Sequence, residues 1–392
     1  MRSAIKTIVA SLVASSSALA WPGHSWERWR RVTTTTRPSV TSPQAGRQDL
    51  VPLLRTGGTD SPQITTVRQW EDKRRRILAV LEEVLGRPTS LTVPKPESVE
   101  LDRTNLEDHV RVHIRIRAEP DDWIPAYLLV PRPEPEAPAP IVIVLHQTVR
   151  QGKDEPAGLK GDRTMMLARE LVARGVTCLV PDVIGFGERI PPGAEVYDGI
   201  IEFFRRHPGW SVMGKMCWDL SRCVDYIETL SWVDPKRVGC IGHSHGAYGT
   251  IFGAAFEPRI ACAAASCGFT TLRADPRPDR WSELTPLIPQ IGYYLPDVAA
   301  IPFDWHEIIA LIAPRPFLNW ATLNDSIFPR TENLRDVFAQ LEEVYALYGA
   351  ADRLAWRLAP GEHRFPDEAR RWAYEWMEKQ LGVAPTSRPA GR

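Results

Sequence analysis

Short, almost unbroken apolar runs recur through the later two-thirds of the chain, at 141–145, 177–180, 238–241, 260–265 and 317–321. Amphipathic stretches separate them, at 163–173, 215–230, 247–256 and 331–348. A strand apolar on both faces must be covered on both faces. Its alternation with helices therefore predicts an α/β fold with a mostly parallel central sheet between two helical layers. Ahead of these runs the period changes to two. Val110, Val112, Ile114 and Ile116 alternate with polar residues, as in a half-buried strand, and 124–130 reads as its hairpin partner across a Pro120-Asp121-Asp122 turn. This antiparallel hairpin extends the same sheet. A helix is predicted over 67–85, ended by Gly86 and Pro88. A last strand is predicted over 356–358, with a C-terminal helix after it.

Two stretches break the pattern. Residues 273–305 hold scattered prolines and the aromatics Trp281, Tyr293, Tyr294 and Trp305, and read as an insertion above the carboxyl edge of the sheet. Residues 21–62 are rich in Thr, Pro, Ser and Arg with little periodic hydrophobicity, which predicts a disordered linker. Before it, Arg2 and Lys6, an apolar stretch and Ala18-Leu19-Ala20 have the layout of a signal peptide over 1–20. An exported protein is expected, with one large domain over 63–383 and a flexible tail over 384–392.

Charge narrows the function. The 48 basic and 48 acidic residues cancel, so the basic excess that nucleic-acid binding requires is missing. The run Lys73-Arg74-Arg75-Arg76 opens an amphipathic helix and reads as its solvated face. No later segment has the length of a membrane span. The six cysteines show neither CxxC pairing nor metal-type spacing and are expected to pack, and a Cys217–Cys223 bridge on one helix has poor geometry. Nothing calls for a metal or an organic cofactor.

The chemistry centres on Gly242-His243-Ser244-His245-Gly246, between the 238–241 strand and the 247–256 helix. A nucleophilic serine on a sharp strand-to-helix turn projects its hydroxyl from the sheet, and flanking glycines let that turn close. The helix N-terminus then faces the charge that develops on a substrate oxygen. In this order of elements an acid and then a histidine should follow. Asp325 lies just past the 317–321 strand, with Asp304 and Asp352 as rivals, and His363 occupies the loop after the last strand. His363 would take the serine proton while Asp325 holds its tautomer. One oxyanion donor should be the backbone N–H of His245; the other should come from Gln147 or Thr148, the choice being open. His146 reads as a structural hydrogen-bonder. Trp281, Tyr293, Tyr294 and Trp305 are candidate pocket walls.

From about residue 70 to 381 the chain resembles bacterial α/β-hydrolases of the acetyl xylan esterase and dienelactone hydrolase-like group. The matching pieces are Val144-Leu145-His146-Gln147, the stretch from Pro181 to Arg189, the elbow, Ala313-Pro314-Arg315-Pro316 and Gly361-Glu362-His363. Dienelactone hydrolases carry a cysteine nucleophile where this chain has Ser244, so lactone chemistry is not transferred. The resemblance implies a carbohydrate or other small ester as substrate. Two other readings compete with a serine carboxylic ester hydrolase. A prolyl oligopeptidase-like peptidase shares the triad but carries a propeller that about 120 N-terminal residues cannot build. A non-catalytic binding protein on the same scaffold would not need all three residues.

Overall fold

The computed structural model describes residues 24–89, 93–135 and 138–383. The expected signal peptide and C-terminal tail lie outside these residues. Nine strands form one sheet among the described residues: β1 (Ser98–Asn105), β2 (His109–Glu119), β3 (Asp122–Pro131), β4 (Ala139–Leu145), β5 (Thr177–Pro181), β6 (Val233–His243), β7 (Ile260–Ser266), β8 (Phe317–Thr322) and β9 (Leu354–Ala359). Their order is β1-β2-β3-β5-β4-β6-β7-β8-β9. Pairing is antiparallel from β1 to β5 and parallel from β5 onward. The α/β expectation holds.

The apolar runs are continuous because both faces are filled. In β4, Ile141, Ile143 and Leu145 enter one core, and Val142 and Val144 enter the other. The first core is covered by α2 (Val67–Leu85), α5 (Val212–Glu228), α6 (His245–Phe256), α7 (Trp305–Ala310) and α8 (Leu334–Leu347). The second is covered by α3 (Leu167–Ala173) and α9 (Asp367–Gln380). Two other helices, α1 (Trp26–Thr33) and α4 (Ile200–Arg206), pack against one another. From β4 the chain passes to β5 on one side and later to β6 on the other. The order therefore reverses between β4 and β6, where open α/β sheets bind ligands beyond their strand ends.

Two expectations are corrected. Residues 24–62 are ordered: α1 is capped by Ser25, and Trp29, Val51 and Leu53 are buried in or against the domain. A few large anchors fix the segment, where composition alone sees a polar tail. The insertion grips this segment, with the Tyr293 hydroxyl donating to the Thr35 carbonyl at 2.5 Å and Tyr294 to that of Val40 at 2.7 Å. Second, Lys73 is not solvated. It is 4% exposed, and its ammonium donates to the carbonyls of Pro52 and Arg55. All six cysteines are buried free thiols, as the packing expectation has it. No helix among the described residues is long and apolar enough to cross a membrane.

Candidate active site

One residue, Ser244, separates the last residue of β6 from the first of α6, and its backbone sits at φ 55°, ψ −115°. A non-glycine residue there is strained, and such strain persists only when neighbours impose it. They do so on both sides. The Ser244 N–H donates to the Ser266 carbonyl at the end of β7 (2.8 Å), and its carbonyl accepts from Ala247 and Tyr248. Glycine is required at both flanks. A Cβ on Gly242 would lie 2.3 Å from the Gly246 carbonyl, and one on Gly246 would lie 2.2 Å from the Leu145 carbonyl oxygen. That second contact sets the elbow directly against the end of β4.

The predicted acid and base converge on Ser244 from two other loops. His363 Nε2 lies 2.8 Å from Ser244 Oγ, and His363 Nδ1 lies 2.7 Å from Asp325 Oδ2. With Nδ1–H donating to the carboxylate, Nε2 presents its lone pair to the hydroxyl. Asp325 is itself held: Oδ1 accepts the N–H groups of Ile327 and Phe328, each at 2.8 Å. The rival Asp304 is committed elsewhere. It caps α7, accepts from Leu272, and pairs with Arg273 at 3.1 Å in full burial. Asp352 sits in a short turn before β9. Cys267 joins Asp325 and His363 in a group whose ligand atoms lie within 4.8 Å of one another. Burial raises the Cys267 thiol to about 12. It is therefore a neutral thiol, and a cation would have to displace the Asp325–His363 hydrogen bond.

Three further histidines pack around the elbow as neutral rings. Burial lowers His146, and it pushes His243 and His245 well below the usual imidazole range. The His243 ring lies 4.9 Å from that of His363 and is hydrogen-bonded through Nδ1 to Ser266. Being neutral, it does not oppose a charge forming on His363. His146 has the structural role expected of it. Nδ1 donates to the Gln147 carbonyl at 2.7 Å, Nε2 accepts from the Val183 N–H, and the ring stacks at 5.8 Å on His245. The His245 side chain meets the Tyr197 hydroxyl, leaving its backbone N–H as the first of α6, with no partner within the helix.

The four aromatics expected to line a pocket are each engaged within the protein. Tyr293 and Tyr294 hold residues 35–40, and Trp305 stacks on Phe269 at 4.8 Å. Trp281 is 2% exposed, wedged between Tyr248 and Phe328. Large aromatics in an irregular insertion gain more by burial than by facing water. The side chains beside the triad are ones the motif does not contain. The Phe328 ring lies 5.8 Å from that of His363, the Arg280 guanidinium lies 5.3 Å from the Phe328 ring, and the Tyr248 phenol bonds the Thr148 side chain. Only the place of Phe328, three residues past Asp325, offered a sequence signal.

No protein-family profile matches the chain. Among curated proteins it is 28% identical over 290 residues to YtaP of Bacillus subtilis (strain 168), a hydrolase by name, across 72% of this chain and 89% of that one. It is 21% identical over 292 residues to the 4-O-methyl-glucuronoyl methylesterase of Schizophyllum commune, across 67% of this chain and 65% of that one. Among solved structures, a glucuronoyl esterase from Solibacter usitatus superposes with a TM-score of 0.68 at 19% identity, over 86% of this chain and 99% of that one. The chain has the α/β-hydrolase fold. That fold supplies the elbow at the reversal of strand order and two loops that close on it.

Proposed function

We propose that the hydrolase is an exported carboxylic ester hydrolase that acts on an ester of a carbohydrate through Ser244, His363 and Asp325. The observation that carries this reading is the unbroken hydrogen-bonded chain from Asp325 through His363 to Ser244, at 2.7 and 2.8 Å, on a strained elbow. Ser244 Oγ attacks the ester carbonyl carbon while His363 Nε2 takes its proton. His363 then returns that proton to the departing alcohol, leaving an acyl-serine. Water repeats the sequence with His363 as base, and the acid is released.

The oxyanion would sit between the N–H of His245 and that of Thr148. The Gln147 carbonyl is engaged by His146 Nδ1 and by the Val149 N–H at 2.8 Å, so the trans peptide turns the Thr148 N–H the opposite way. The Gln147 side chain is tied to Glu155. Two observations favour a carbohydrate ester, namely the glucuronoyl esters named for two of the similar proteins and the acetyl xylan esterase resemblance of the motifs. Export rests on Arg2, Lys6 and Ala18-Leu19-Ala20.

A substrate panel tests the reading: methyl glucuronate, acetylated xylan, p-nitrophenyl acetate and a proline anilide. At least one carbohydrate ester should turn over, with the anilide inert. Faster cleavage of the anilide than of any ester would favour the peptidase reading, and inertness of every ester would end the esterase one.

A further inference from the structure

A cleft of about 390 Å³ opens between the start of β3, the 184–191 loop and α4. It lies toward the β3 side of the same sheet edge that carries Ser244, and it is separate from the triad. The loop divides the two. Ile184 and Gly185 line the cleft, whereas the next ring, Phe186, packs 5.2 Å from His146 and 4.9 Å from His245. The triad chemistry leaves this cleft unused.

Its charged lining sorts into two sets. Asp122 is bound by Arg189 and Lys215, each at 2.7 Å, and Glu188 by Lys153 and His113. Arg189, its side chain 6% exposed, is held between Asp122 and Asp219. These ion pairs engage one oxygen of each acid, Oδ2 of Asp122 and Oε1 of Glu188. Arg115 and Arg206 differ: both are exposed, and neither forms an ion pair or a side-chain hydrogen bond with any described residue. The lining cations left without an ion-pair partner are therefore two guanidinium groups, and an anionic ligand would bring acceptors to them. A carboxylate matches that planar fork better than a hydroxyl does, and the match is charge-assisted. Apolar contact comes from Trp123 and Phe203, and the Trp123 ring already carries the Arg117 guanidinium at 4.1 Å. The volume lies within the range of small-molecule sites, on the order of 300–1,000 Å³.

We infer that this cleft binds a small ring-bearing carboxylate, its anion held by Arg115 and Arg206 and its ring against Trp123 and Phe203. An acidic sugar and an aromatic acid share this chemistry. The inference goes beyond the esterase reading and does not depend on it.

Calorimetric titration of the intact chain with D-glucuronate, benzoate and D-glucose tests it, alongside Arg115→Gln and Arg206→Gln variants whose melting temperatures confirm the fold. At least one of the two carboxylates should bind, glucose should not, and each substitution should weaken binding about tenfold or more. Binding of glucuronate alone identifies the source as an acidic sugar, and of benzoate alone as an aromatic acid. Binding of both supports a general ring carboxylate site. The inference is overturned if neither carboxylate binds, if glucose binds as well as they do, or if both variants bind unchanged.

Discussion

Replacing Asp325 by asparagine keeps the shape of the side chain and changes only what it can accept. In the native site the carboxylate takes three hydrogen bonds: two backbone N–H groups on Oδ1 and His363 Nδ1 on Oδ2. An amide has one oxygen and must choose. With the oxygen toward Ile327 and Phe328, both backbone donors stay satisfied and the amide NH₂ faces His363. With the oxygen toward His363, the NH₂ confronts two N–H donors. The first orientation keeps more hydrogen bonds, so it wins, and it forces the imidazole proton onto Nε2. In that tautomer Nε2 cannot accept the Ser244 proton, and no carboxylate offsets the imidazolium. Turnover of p-nitrophenyl acetate should fall by roughly 10³–10⁴, equivalent to about 4–5.5 kcal/mol of transition-state stabilisation, while KM changes little. The assay is steady-state kinetics on the purified variant, with its melting curve compared with that of the native protein. A variant within tenfold of native turnover would show that Asp325 does not set the tautomer.

Asp304→Asn should behave in the opposite way, because it weakens the partner of the buried Arg273 without touching His363. Chemical denaturation should show a loss of about 3 kcal/mol or more with turnover nearly retained, and a large turnover loss at native stability would contradict this. Burial depresses His146, His243, His245 and His306 in the folded protein. The unfolded chain therefore takes up protons first. Their contribution is fully present above the unfolded value near 6.5 and is lost as pH falls below it, by up to about 1.4 kcal/mol per pH unit for each ring. Denaturant titrations at pH 7.5 and 5.5 should show the lower stability at 5.5, and an equal or higher value there would refute the assignment.

The sheet and the triad were legible because both rest on local signals. The 67–85 helix ends at Gly86 as its stop residue suggests. The elbow is readable because glycine is needed on each side of Ser244. What was not legible depends on tertiary contact. The edge strand Ser98–Asn105 is exposed along nearly its whole length, so it has no alternation to detect. The segment around Trp29 carries too few apolar residues to show a period, yet Trp29 meets Phe204 and Tyr293 across the fold. Partnership also decided the aromatics of the insertion. Tyr293 and Tyr294 look like ligand platforms until the carbonyls of Thr35 and Val40 occupy their hydroxyls. Arg280 came to the site through the fold of its loop, which no spacing rule describes, and Phe328 only by its nearness to Asp325.

The central claim is that an acyl group passes through Ser244. Rapid mixing with p-nitrophenyl acetate, followed by intact-mass and peptide analysis, tests it most directly. The account predicts a burst of p-nitrophenol stoichiometric with enzyme, an acetyl adduct on the peptide containing Ser244, and loss of both in Ser244→Ala with the fold intact. A burst that survives the substitution, or an adduct confined to another residue, would contradict it.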